Sequence, residues 1–150
     1  MCFIFVETKF DMKLLSILTL MLILFACSSN EDRIAGKWRL EKIDYSEHFE
    51  GVEEDVREML KGKMEEEFER LKDKTFFIFG EDKSLELQAP NYLGKMTSDK
   101  GKWKLNEAGD SVFFEMGIPE SYQVLSLEGN DLKLKTDEMP RRTLFLKKVD

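Results

Sequence analysis

Cysteine, histidine and proline are scarce in this 150-residue chain, with two, one and three copies, and each scarcity removes a class of function. Cys2 lies near the start and Cys27 closes an apolar run, so the rest of the chain holds no thiol pair for a disulfide framework. The single histidine, His48, excludes a metal centre built on several imidazoles and is expected as a solvated residue flanking a helix. No His-Glu-x-x-His, phosphate-loop, dinucleotide or nucleophile-elbow pattern is present. A pair of carboxylates is the one acid/base chemistry left open, and nothing singles out such a pair. The acidic runs Glu53-Glu54-Asp55 and Glu65-Glu66-Glu67 read as a solvated face, because consecutive helical residues point in different directions. The expectation is therefore no catalytic residue, no metal and no cofactor. Positive charge is short as well: 23 Lys and Arg against 30 Asp and Glu give a net charge of −7, which argues against nucleic acid as a partner. Between Ser46 and Asp73 eleven acidic residues face five basic ones, so the acidity is concentrated in one segment.

Long hydrophobic runs are limited to Leu14–Phe25, which is preceded by Lys13 and followed by Ala26 and Cys27. Such a run is too brief to span a bilayer stably, and the small residue before Cys27 gives a peptidase access to the backbone. The segment resembles a bacterial lipoprotein leader, with Leu24-Phe25-Ala26-Cys27 as its lipobox. That resemblance implies removal of residues 1–26 and lipidation of Cys27. Met12-Lys13 is the expected start, since Glu7 and Asp11 are unusual in a secretory leader. Two or more acyl chains are enough for stable anchoring, so the resemblance implies an outer-membrane lipoprotein of the cell envelope, facing the periplasm or the surface. Residues 27–35 read as a polar tether of roughly 25–30 Å when extended. Within it Asn30-Glu31-Asp32 is similar to the acidic surface-export signals of Bacteroidetes lipoproteins, and an ordinary solvated linker fits it equally well.

One domain is expected over residues 36–150. Trp38 and Leu40 share one side of an opening strand. Phe49, Val52, Val56, Met59, Leu60, Met64, Phe68 and Leu71 then recur at steps of three and four, which predicts an amphipathic helix within residues 46–73, with a possible bend at Gly62. Its stripe is expected to be buried on the barrel wall or over its mouth. From Thr75 onward, short apolar runs alternate with the turns Gly80-Glu81-Asp82, Asn106–Asp110 and Glu128–Asp131. Candidate strands are 75–79, 84–89, 92–97, 101–105, 111–116, 121–128, 131–136 and 142–148. With the opening strand this makes eight or nine, expected to close as an antiparallel up-and-down barrel that leaves no unpaired edge. Phe76–Phe79, Val112–Phe114 and Leu144–Leu146 are apolar on both faces, and the helix is the expected cover for their outer sides.

Gly36-Lys37-Trp38 at the head of the first strand, the second Gly-x-Trp at Gly101-Lys102-Trp103, and Arg141-Arg142 entering the last strand resemble the lipocalin-like proteins of bacterial envelopes. The resemblance implies that Trp38 plugs one barrel end, that Gly36 lets the chain turn into the strand, and that Arg142 stacks on the indole. It also implies a cavity for a small hydrophobic molecule, with Phe76, Phe77, Phe114, Met116 and Tyr122 as candidate lining. Phe76 and Phe77 cannot both point inward. The alternative is a barrel filled by its own side chains that docks a protein partner through its acidic helix or its rim.

Overall fold

The alternating runs form eight strands in the computed structural model, which describes residues 29–149. They are β1 (Gly36–Asp44), β2 (Phe76–Phe79), β3 (Ser84–Pro90), β4 (Met96–Leu105), β5 (Ser111–Glu115), β6 (Glu120–Glu128), β7 (Asp131–Thr136) and β8 (Arg142–Val149). Each pairs antiparallel with its neighbour in sequence, and β8 pairs back onto β1 to close the barrel. The strands expected at 92–97 and 101–105 are one long strand, β4.

Two helices accompany the barrel: α1 (Asn30–Ile34) before β1 and α2 (Glu54–Leu71) between β1 and β2. The helical segment expected over 46–73 divides into a 3-10 turn at Ser46–Phe49 and α2, and α2 runs unbroken through Gly62.

Because the meander alternates direction, the turns β2–β3, β4–β5 and β6–β7 gather at one end, and the links β1–β2, β3–β4, β5–β6 and β7–β8 gather at the other. The first end is packed shut. Ile34, Trp38, Phe79, Leu85, Trp103, Val112, Leu132 and Leu146 are all almost inaccessible there. Trp38 donates its indole N–H to the Ile34 carbonyl at 2.7 Å, and Trp103 donates its own to the Gly80 carbonyl at 2.9 Å. Both buried indoles thus have the partner their polar atom requires. The two Gly-x-Trp segments solve one packing problem twice. A Cβ on Gly36, whose φ is +131°, would lie 2.7 Å from Lys148 Cε, and a Cβ on Gly101 would lie 2.2 Å from the Glu115 carbonyl oxygen.

The stretch expected as a polar tether is folded from Asn30 onward. Ser29 caps α1 through a reciprocal bond pair with Asp32, and Ile34 is buried against the core. Asn30 donates to the Gly109 carbonyl, Arg33 to the Leu127 carbonyl, and Glu31 pairs with Lys83 at 2.6 Å. The α1 segment is therefore fastened to all three hairpins of the closed end. Cys27 and residues 1–26, the expected leader with its expected start at Met12, lie outside the described residues.

Three expectations about packing need correction. Arg142 does not stack on Trp38. In the β1–β8 register Trp38 sits opposite Lys148, and Lys148 Nζ lies 5.3 Å from the Trp38 ring centroid while donating to the Arg33 carbonyl. Arg142 is six residues earlier on β8, roughly 20 Å away along an extended strand, at the opposite end of the barrel. The outer aromatic faces are covered by lysines and not by the helix: Lys37 lies over Phe76, Lys42 and Lys133 over Phe145, and Lys104 over Phe113. Each such contact contributes about 0.5–1 kcal/mol where solvent is near.

The α2 stripe is only half-buried. Val52, Leu60, Met64, Phe68 and Leu71 are intermediate, and Val56 is exposed at 42%. The helix rests mainly on β1 and β3, held by Arg70, which donates to the Pro90 and Asn91 carbonyls at 2.9 and 2.8 Å. Substituting Val56 with Asp should therefore change stability by no more than about 0.5 kcal/mol. Phe68→Asp, which removes a side chain packed against the core, should destabilise by more than about 1 kcal/mol. Urea denaturation of both variants measures the difference.

Candidate ligand-binding site

Above the packed end the barrel is open. A cavity of about 650 Å³ occupies its upper half, bounded by Leu40, Phe77, Leu87, Ala89, Phe114, Met116, Leu144 and the helix residue Leu71. The volume falls within the range of about 300–1,000 Å³ found for small-molecule sites. Four of the five aromatic and methionine side chains expected as lining are there: Phe77, Phe114, Met116 and Tyr122. Phe76 is the exception. Trp38 faces Phe77 across the β1–β2 ladder and points inward, so the pleat turns Phe76 outward beneath Lys37. The aromatic wall is continuous, with the Phe114 centroid 4.8 Å from Tyr122, 6.1 Å from Phe77 and 5.7 Å from Phe79.

Polar groups on this wall are Asp99 and Lys100 of β4, both exposed, Tyr45, Thr75, and a hydrogen-bonded cluster of Glu120, Tyr122 and Arg142. Arg142 Nη2 donates to both carboxylate oxygens of Glu120, at 3.0 and 2.8 Å, and to the Tyr122 hydroxyl at 2.5 Å. The Tyr122 hydroxyl in turn donates to Glu120 at 2.5 Å. Burial pushes the Tyr122 phenol well above its usual range, and the Arg142 charge only partly opposes this, so it remains a neutral donor. Burial works against the Arg142 charge, but the contacts with Tyr122 and Glu120 outweigh it and raise its pKa. Tyr45 also lines the cavity, and its phenol is raised mainly by burial.

Two members of this site were not read from the sequence. Glu120 stands two residues before Tyr122 on β6 and therefore shares its face; an acidic residue in phase with an inward aromatic was the available signal. Thr75 lines the cavity from the start of β2, is 4% exposed, and its Oγ1 has no hydrogen-bond partner among the described residues. Sequence gives no comparable signal for Thr75.

The mouth is ringed by apolar loop tips. Tyr92 and Leu93 on β3–β4, Ile118 on β5–β6 and Met139 on β7–β8 are 84%, 74%, 85% and 76% exposed. A crevice of about 480 Å³ between α2, the 3-10 turn and β1 shares Ile43 and Tyr45 with the barrel cavity. His48, expected in solvent, is half-buried in the 3-10 turn with its ring edge-to-face against Phe49 at 5.3 Å. Among the described residues no group of three or more His, Cys, Asp or Glu is placed to hold a metal ion.

An up-and-down barrel of eight strands, with one end packed around tryptophan and the other hollow, is a lipocalin-like architecture. The chain belongs to the family of lipocalin-like domains, whose sequence profile matches residues 34–134. It is similar in structure to a lipocalin-like protein from Bacteroides uniformis, with 17% identity and a TM-score of 0.52 over 78% of this chain and 99% of that one. It is also similar to an uncharacterized protein from Bacteroides eggerthii, with 13% identity and a TM-score of 0.50 over 77% of this chain and 98% of that one. At these identities the likeness shows the fold. No curated protein matches the sequence.

Proposed function

We propose that the protein is a non-catalytic, lipid-anchored carrier of the cell envelope that holds a small hydrophobic molecule in the upper half of its barrel. The observation that carries this reading is the cavity itself: about 650 Å³ with a mainly aliphatic and aromatic wall. A barrel filled by its own side chains would instead favour the protein-docking alternative, and here only the lower half is filled. At about 25 cal/mol per Å² of buried apolar surface, an aliphatic guest that loses a few hundred Å² to this wall gains several kcal/mol. Native mass spectrometry of protein gently extracted from its own cells tests the reading. A co-purified small molecule supports it, and a protein that is repeatedly empty and binds no apolar probe removes it.

Anchoring supports a particular orientation. The α1 segment that follows the lipobox is fastened to the closed end, so a lipid on Cys27 would set that end against the membrane and turn the mouth away from it. The exposed Tyr92, Leu93, Ile118 and Met139 around the mouth are then the surface available to a protein partner, which is where the rim-docking reading retains a specific basis. Replacing Cys27 with Ala should release the protein from membrane fractions. Persistence in the membrane after a salt wash would contradict the anchor.

A further inference from the structure

The hydrogen-bonding capacity left over at the polar cluster identifies the kind of head group the cavity takes. Glu120 directs both of its oxygens to Arg142 and receives the Tyr122 hydroxyl, so its acceptors and the Tyr122 proton are already engaged. All three protein bonds of Arg142 leave from Nη2. Its Nε and Nη1 have no protein partner among the described residues, and the buried Thr75 hydroxyl has none either. The cluster therefore offers unused donors but no unbalanced charge, because the guanidinium and the Glu120 carboxylate neutralise each other at 2.8 Å, and the exposed Asp99 and Lys100 of β4 add one charge of each sign to the cavity lining.

From this pairing we infer that the ligand is an uncharged amphipath, an apolar chain ending in a hydroxyl or carbonyl oxygen, and that Glu120 excludes the corresponding carboxylate. The inference rests on the cavity reading above and specifies its ligand class. An uncharged oxygen can accept from Arg142 or Thr75 without disturbing the ion pair. A carboxylate reaching Arg142 must sit beside Glu120, where like charges repel, in a wall of low polarizability that strengthens the repulsion. Specificity here comes from a built-in repulsive element as much as from attraction.

The test uses the folded mature chain at pH 8 and displacement of the neutral fluorophore N-phenyl-1-naphthylamine by dodecanol and dodecanoate. Wild type should bind dodecanol at least about tenfold more tightly than dodecanoate, a ratio equivalent to about 1.4 kcal/mol. In Glu120→Gln, Arg142 loses its counter-charge, and the dodecanol-to-dodecanoate preference should shrink or invert. In Thr75→Val, of nearly the same volume, dodecanol should weaken several-fold while dodecanoate stays as weak as in wild type. A thermal melt of each variant verifies that it is folded, and Thr75→Val carries the test should Glu120→Gln not be. Equal or tighter binding of dodecanoate by wild type overturns the head-group assignment and leaves the cavity reading standing, as does an unchanged preference in folded Glu120→Gln. Absence of a saturable site for the fluorophore and both amphipaths overturns both readings.

Discussion

Replacing Trp38 with alanine should destabilise the fold by about 3–5 kcal/mol. The side chain is completely buried, and its removal opens a void at the narrow end of a barrel whose walls cannot collapse without breaking strand pairing. The same substitution deletes the indole bond to the Ile34 carbonyl and the surface against which Lys148 packs, so α1 should loosen along with the core. The expected signature is a loss of roughly 10–20 °C in Tm with early exchange of the amides of residues 30–35. Trp38→Phe, which keeps most of the volume and loses the N–H, should fall between wild type and alanine. A shift in Tm for Trp38→Ala of only a few degrees would mean that the closed end is not the structural base of the barrel.

Filling the upper half should have the opposite profile, with large loss of binding and little loss of stability. Ala89 lines the cavity near the end of β3 and is only half-buried, so a larger side chain there can extend into empty space without overpacking the core. Ala89→Trp should reduce affinity for an apolar probe by at least about tenfold, through occlusion of the volume and apolar wall that binding uses. Its denaturation midpoint should stay within about 1 kcal/mol of wild type, because the added ring gains contacts in a void. The pair of variants separates the two halves of the barrel: Trp38 governs stability, and Ala89 governs occupancy.

Much of this was legible because period-two alternation is a local property. Leu85 with Leu87, Trp103 with Leu105, and Leu132 with Leu134 announce inward faces from three residues each, and the turn chemistry between them sets the meander. What could not be read depends on register between strands distant in sequence. Whether Phe76 or Phe77 faces the cavity is decided by pairing with Trp38 across the long connection formed by residues 45–75. The lysine that covers Trp38 is identified only once β8 is aligned on β1, which places Lys148 and not Arg142 at the plug. Displaced from that role, Arg142 is free to pair with Glu120, and this is why the polar cluster of the site was not foreseen although Tyr122 was. The α2 segment shows the limit of periodicity differently. Three-and-four spacing predicts its helix correctly, but a stripe does not specify how deeply it is buried, and here it lies loosely across the rim and not flat on the wall. For α1, the Ser29-x-x-Asp32 capping pair ahead of Ile34 was the signal, obscured by the brevity of the segment and by its place just after the apolar run that ends at Cys27.

The central claim is that the upper barrel is a binding cavity, and the most direct measurement is a fluorescence titration of N-phenyl-1-naphthylamine into wild type and Ala89→Trp under identical conditions. The account predicts saturable binding of one probe per wild-type molecule and a loss of at least about tenfold in affinity in a folded Ala89→Trp. Equal binding by the two proteins would place the probe elsewhere, in the α2 crevice or on the apolar rim, and would contradict the account.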